Sequence, residues 1–258
     1  MDDSSGLETK IRVEGLTKVY DRVEAVHDLT FQVTAGEVLG LVGPNGAGKT
    51  TTLRSIAGII PPTAGHLEVA GHDVRSRPLS AKRELAFIPD DPRLFDYLTV
   101  QEHLRFIGRL YGVTRARIRG RQLIEELDLE GKETSLPGAL SRGMRQKLAI
   151  ACSLLHDPQV ILFDEPLTGL DPMAIRRIKT AIHKRAEAGA AVIVSSHLLS
   201  LVEEISDRIL VIQNGKKIVH GRLEELKATL PELDTDADLE EVFFRITEPT
   251  GSTGEEAR

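Results

Sequence analysis

Three near-continuous apolar runs, Val38–Val42, Val160–Phe163 and Ala191–Val194, are the strongest constraint this chain places on its own fold. A strand apolar on both faces is buried on both faces, as in parallel sheets covered by helices. Each run is followed by a loop and a helical stretch, so the pattern reads as α/β with a mainly parallel central sheet. Further strands are read at Lys10–Glu14, Leu29–Val33, Leu67–Val69, Leu85–Ile88, Ile209–Ile212 and Lys217–His220. The shorter strands toward both ends of the chain are expected to be antiparallel, forming a separate β subdomain. Asn214-Gly215 between the last two is a hairpin signal.

Between about residues 95 and 157 no strand pattern occurs, and helices are expected over 100–111, 115–128 and 142–155. A strand-free block inside an α/β chain reads as an inserted helical subdomain. Residues 1–230 are expected to form one domain, with 231–258 as an acidic C-terminal helix and tail. Leu239, Val242, Phe243 and Ile246 follow the i, i+3, i+4, i+7 spacing of an amphipathic helix, with Asp238 as its N-cap. The final dozen residues, 247–258, read as disordered.

Charge and cysteine content narrow the function classes. The net charge is −6 over 258 residues. Residues 224–258 hold 11 acidic and 3 basic residues, so the body carries only +2, and no nucleic-acid partner is expected. Six arginines (105, 109, 115, 117, 119, 121) form a local exception inside the helical block. They read first as a solvated helix face, and second as a surface near lipid headgroups or a membrane partner. The single cysteine, Cys152, suits a reducing compartment. The longest apolar run, Leu148–Leu155, is far short of the roughly 18 residues that span a bilayer. The acidic N-terminus is not expected to be a signal peptide.

Gly43-Pro44-Asn45-Gly46-Ala47-Gly48-Lys49-Thr50-Thr51 follows the first buried run and opens a helical pattern. The sequence matches G-x-x-x-x-G-K-[ST] in the strand–loop–helix context that the motif requires. Small residues let successive backbone N–H groups turn inward on phosphate oxygens, and the helix N-terminus faces the same anion. Lys49 is expected to bridge the terminal phosphates and the Thr50 hydroxyl to ligate Mg²⁺. The second run ends in Asp164-Glu165-Pro166. Carboxylates at the C-terminal end of a parallel strand lie where such sheets bind ligands. Asp164 is expected to hold the metal and Glu165 to act as general base on an attacking water.

Leu140-Ser141-Arg142-Gly143-Met144 lies 23 residues before Asp164, counted from Ser141, and opens a helix. It resembles the LSGGQ signature of ATP-binding cassette (ABC) ATPases. Phosphate loop, signature, VILFDEP, Thr168-Gly-Leu-Asp171 and Ser195-Ser-His197 then follow in the order of that family. The resemblance covers roughly residues 10–225 and implies a P-loop NTPase core. It further implies that two cassettes meet head to tail, each ATP lying between one phosphate loop and the other chain's signature. On that reading Ser141 and Gly143 contact the ATP of the partner cassette, and Asp171 lies along the dimer interface. Ser141 is equally an N-cap, and Asp171-Pro172 a cap and first-turn pair for a helix over 172–187. His197 resembles the family's switch histidine, and Tyr20 the aromatic that stacks on adenine.

Two positions depart from the family pattern. Asp90 stands where the family usually has Gln, which makes it a stronger metal ligand that donates no hydrogen bond. Arg142 and Met144 replace the first Gly and the Gln of the signature. The resemblance implies the ATP-binding and hydrolysing subunit of a transporter, with ATP and Mg²⁺ as cofactors. Its partners would be an integral-membrane permease and a second ATPase subunit, at the cytoplasmic face of the cell membrane. The tail sequence (DLEEVFFRIT) resembles cassettes that serve exporting permeases. A soluble relative acting on ribosomes or DNA is the alternative, although two cassettes or a long coiled-coil insert would then be expected. A non-hydrolysing switch is disfavoured by Glu165 and His197.

Overall fold

The computed structural model describes residues 7–230 and 237–247. The N-terminal segment and nearly all of the expected tail lie outside the described residues. In chain order the strands are β1 (Thr9–Tyr20), β2 (Val23–Thr34), β3 (Val38–Val42), β4 (Ala64–Val69), β5 (His72–Asp73), β6 (Leu85–Ile88), β7 (Val160–Asp164), β8 (Ala191–Ser195), β9 (Arg208–Gln213) and β10 (Lys216–Gly221). The helices are α1 (Lys49–Ile56), α2 (Pro78–Arg83), α3 (Val100–Leu110), α4 (Ala116–Glu126), α5 (Arg142–Leu154), α6 (Pro172–Glu187), α7 (Leu199–Ile205), α8 (Leu223–Ala228) and α9 (Leu239–Thr247).

The three apolar runs become β3, β7 and β8, and every residue of each is buried. They sit side by side in a six-stranded sheet of order β10-β9-β3-β8-β7-β6. Strands β9, β3, β8, β7 and β6 run parallel, and β10 closes the edge antiparallel to β9. The C-terminal hairpin therefore belongs to the parallel sheet rather than to the antiparallel one. Its turn has both central residues in the left-handed region, Asn214 at φ 49° and Gly215 at φ 75°. This backbone twist suits a two-residue hairpin and explains the Asn-Gly pair.

A second sheet, of order β2-β1-β4-β5, is antiparallel throughout. Strands β1 and β2 are twelve residues each, longer than their apolar cores alone indicate. Register shifts between Val13 and Leu16 break the inward–outward alternation there, which hides the extension from a period-two reading.

Helices α3, α4 and α5 fill the strand-free block. Thr99 caps α3 reciprocally with Glu102, a capping box that explains where the helix starts. Leu104, Leu123, Ile124, Leu148 and Ile150 from these helices share one core with β7 and α6 residues such as Phe163 and Ile178. Helix α9 packs beside α7 at the β3–β9 part of the sheet, burying Leu239 and Val242 with Val42, Val202 and Val211. The Leu239 N–H donates to Glu203 Oε2 at 2.9 Å, fixing α9 to α7.

His156 stacks on Tyr111 at 3.9 Å between centroids, joining the ends of α3 and α5. Burial pushes its imidazole below the ordinary value of 6.5. The folded protein thus keeps His156 neutral where the unfolded chain takes up a proton. Stability is unaffected above the unfolded pKa and falls as pH drops below it. The melting temperature of the wild type should fall more between pH 7.5 and 5.5 than that of His156→Phe. Parallel calorimetric pH profiles would show that histidine 156 is not the titrating group.

Candidate functional site

The C-terminal ends of β3, β7 and β8 converge on one edge of the parallel sheet, and the loops that leave them carry the polar side chains. After β3 the backbone curls into Gly43–Gly48 and enters α1 at Lys49. Two glycines are required there. A Cβ on Gly43 would stand 2.2 Å from the Ile212 carbonyl oxygen. Gly48 is left-handed at φ 104°, and its Cβ would lie 2.5 Å from the Ala25 carbonyl oxygen. The hairpin tip supports the loop: the Gly215 N–H donates to Ala47 O at 3.0 Å, and the His27 N–H to Gly215 O at 2.8 Å.

Lys49 is buried, and its ammonium donates to the carbonyls of Gly43 at 2.7 Å and Pro44 at 3.3 Å. Burial lowers its pKa, and the carboxylates of Glu165 and Asp164 oppose that shift. Thr50 Oγ1 donates to Asp164 Oδ1 at 3.0 Å, joining α1 to the end of β7. Ser195 donates to the same oxygen at 3.0 Å. Asp164 and Ser195 are register partners across β7 and β8, so the contact follows from parallel pairing. Its sequence signal is a hydroxyl at the end of a buried strand, yet the residues are 31 apart and no local pattern links them.

Glu165 adopts φ 52°, a left-handed conformation uncommon for a side chain of its size. The Ser195 carbonyl accepts from its N–H at 3.1 Å and holds the turn. This geometry sets the Glu165 carboxylate between two groups. Oε1 is 3.8 Å from Lys49 Nζ, and Oε2 is 2.8 Å from His197 Nδ1. The His197 N–H adds a contact to Oε2 at 3.3 Å. A carboxylate held by an imidazole and facing a buried ammonium can accept a proton from a water beside it.

The remaining expected residues are held by local contacts of their own. Tyr20 ends β1 and is 44% exposed, with the Lys18 ammonium 4.8 Å from the ring centroid. Ser141 caps α5, accepting from the Met144 N–H at 3.2 Å. Asp171 caps α6, accepting from the Ala174 N–H at 2.9 Å. A Cβ on Gly143 would stand 3.6 Å from Leu170 Cδ2, so the first turn of α5 lies against the turn that leads into α6. Asp90 faces Arg142, with Oδ1 3.5 Å from Nη2. Among the described residues, no three His, Cys, Asp or Glu side chains converge on one metal position.

Five of the six arginines are exposed, and Arg119 is partly buried. Arg119 pairs with Asp157 at 2.9 Å. Arg105, Arg117 and Arg121 line a cavity of about 650 Å³ between α3 and α4, with Glu125, Glu130 and Glu133 also on its walls. No described helix is long and apolar enough to cross a membrane.

The family profile described as ABC transporter matches residues 26–168. The chain is 39% identical to the Nod factor export ATP-binding protein I of Ralstonia nicotianae, over 84% of this chain and 68% of that protein. It is 32% identical to the ABC-type transporter ATP-binding protein EcsA of Bacillus subtilis, over 92% of this chain and 96% of that one. It is 38% identical to the daunorubicin/doxorubicin resistance ATP-binding protein DrrA of Streptomyces peucetius, over 85% of this chain and 67% of that one. A solved ATP-binding subunit of an ABC transporter superposes with a TM-score of 0.88 at 33% identity, covering 93% of this chain and all of that one.

Proposed function

The chain belongs to the ABC transporter family as an ATP-hydrolysing, ATP-binding subunit that drives a separate transmembrane permease, and from that premise we propose how its residues divide the work. The observation that carries the proposal is Glu165, poised between His197 and Lys49 beside the Thr50–Asp164 pair. The loop Gly43–Thr51 wraps the phosphates, with its N–H groups and the start of α1 turned on them. Lys49 exchanges its carbonyl partners for phosphate oxygens. Thr50 Oγ1 and Asp164 Oδ1 are hard oxygen donors 3.0 Å apart and would hold Mg²⁺, which would neutralise phosphate charge.

Glu165 takes the proton of the attacking water. His197 holds the Glu165 carboxylate in place through Oε2 and senses the terminal phosphate. Tyr20, exposed at the end of β1, stacks on the base. Ser141, Gly143 and Asp171 face a second ATPase subunit, so that two nucleotides are held between two cassettes. The relatives named for Nod factor export and for drug resistance support export as the direction. We place the chain at the cytoplasmic face of the cell membrane, bound to its permease.

Affinity purification from detergent-solubilised native membranes tests the partner. A multi-span membrane protein recovered near unit stoichiometry supports the proposal. Ribosomes or DNA-bound factors without such a protein contradict it. Charge reversal of Arg115, Arg117 and Arg119 should also weaken membrane association, read as protein released into the soluble fraction. Unchanged fractionation would return these arginines to a solvated helix face.

A further inference from the structure

Arg142 occupies the first position of α5, where a cation is electrostatically misplaced. The N-terminus of a helix carries partial positive charge, and the first turn of α5 contains no acidic residue to offset it. The compensating charge comes from 52 residues away. Asp90 Oδ1 lies 3.5 Å from Arg142 Nη2, in the loop that follows β6. Gln146, one turn further along α5, donates to the Pro89 carbonyl at 3.4 Å in the same loop. The guanidinium also reaches a third element. A Cβ on Gly169 would stand 2.9 Å from Arg142 Nη1, and Gly169 is itself left-handed at φ 72°. Gly169 belongs to the turn that starts at Glu165 and ends at Asp171.

One side chain therefore touches the loop after β6, the first turn of the helical subdomain's α5, and the turn that carries Glu165. We propose that Arg142 and Asp90 form a brace that positions the Ser141–Gly143 turn against the Glu165 turn, making Arg142 a positioning residue for hydrolysis. Asp90 is then the counter-charge of Arg142 and not a metal ligand. The proposal rests on the assignment of Glu165 as the base. Both side chains are about half exposed, so the pair contributes little to folding stability. Its effect lies in geometry, where small displacements of reacting groups cost large factors in rate.

The test is steady-state ATP hydrolysis by the subunit in complex with its permease. Wild type, Asp90→Arg, Arg142→Asp and the double exchange are compared. Each single reversal juxtaposes like charges and should lower kcat roughly tenfold, with KM within about twofold and melting temperature unchanged. The double exchange restores the ion pair and places Asp at a helix N-terminus, where it is favoured. It should recover kcat to within about threefold of wild type. A double exchange no better than the worse single variant overturns the brace, as do losses confined to KM. A double exchange as inactive as Glu165→Gln also overturns it and returns Asp90 to metal binding. Glu165→Gln in the same assay reports on the base separately: if it hydrolyses like wild type, that assignment fails, while the Asp90–Arg142 coupling is still read from the other four proteins.

Discussion

Glu165→Gln should lower ATP hydrolysis by about 10²- to 10⁴-fold while leaving ATP affinity within about twofold, the range expected when a general base is removed. The amide is isosteric with the carboxylate but cannot take a proton at neutral pH. Its oxygen can still accept from the His197 N–H, now 3.3 Å from Oε2, so the left-handed turn at residue 165 need not rearrange. The Lys49 ammonium loses a negative neighbour 3.8 Å away but keeps its contacts to Gly43 and Pro44. Binding and chemistry are thereby separated: nucleotide accumulates on the variant, and two cassettes remain closed around ATP. Size-exclusion chromatography with ATP and Mg²⁺ reads the closure, and phosphate release reads the rate. Turnover equal to wild type would remove Glu165 from the catalytic role.

Lys49→Ala should abolish nucleotide binding in the micromolar range. Lys49 is the buried cation of the phosphate loop, and its ammonium is already directed at loop carbonyls rather than solvent. Charge-assisted contacts to phosphate are the strong kind, and the substitution removes the ammonium that would make them. A rise in Kd of at least about 100-fold, near 2.7 kcal/mol, is the expected scale. The substitution also leaves Asp164 and Glu165 facing the site without a compensating charge, which further repels an anionic ligand. Arginine is no substitute, because a planar guanidinium does not fit a nest shaped for one compact ammonium. Titration calorimetry checks this directly, and micromolar ATP binding by Lys49→Ala would contradict the phosphate-loop assignment.

What could be read in advance follows the range of the forces involved. The buried strands β3, β7 and β8 were legible because double-sided burial writes an uninterrupted apolar run. Helices α3 to α5 were legible to within two residues because their caps and apolar periodicity are local. Strands β1 and β2 were under-read, since exposed polar residues and register shifts interrupt their pattern. The six-residue helices α2 and α8 and the two-residue strand β5 escaped because none spans enough residues to set a period.

The site divides the same way. Gly43–Thr50 and Asp164-Glu165 are contiguous, and their chemistry is carried by spacing alone. Ser195 bonding Asp164, and Arg142 bracing Asp90, depend on strand register and on where loops fold back across 31 and 52 residues. Those contacts become visible only once the sheet order is known. The placement of the hairpin β9–β10 has the same cause. Its turn was readable from Asn214-Gly215, but the sheet that it joins is decided by the pairing of β9 with β3.

The central arrangement proposed for this subunit is ATP held between the Lys49 loop of one chain and the Ser141 turn of another, with Glu165 facing the terminal phosphate. A structure of Glu165→Gln with ATP and Mg²⁺ tests it most directly. The expected result is a metal ligated by Thr50 with Asp164 beside it, a γ-phosphate within hydrogen-bond reach of Lys49, His197 and the second chain's Ser141, and a water facing residue 165. Nucleotide bound elsewhere, or bound with Glu165 and His197 remote from the γ-phosphate, would contradict it.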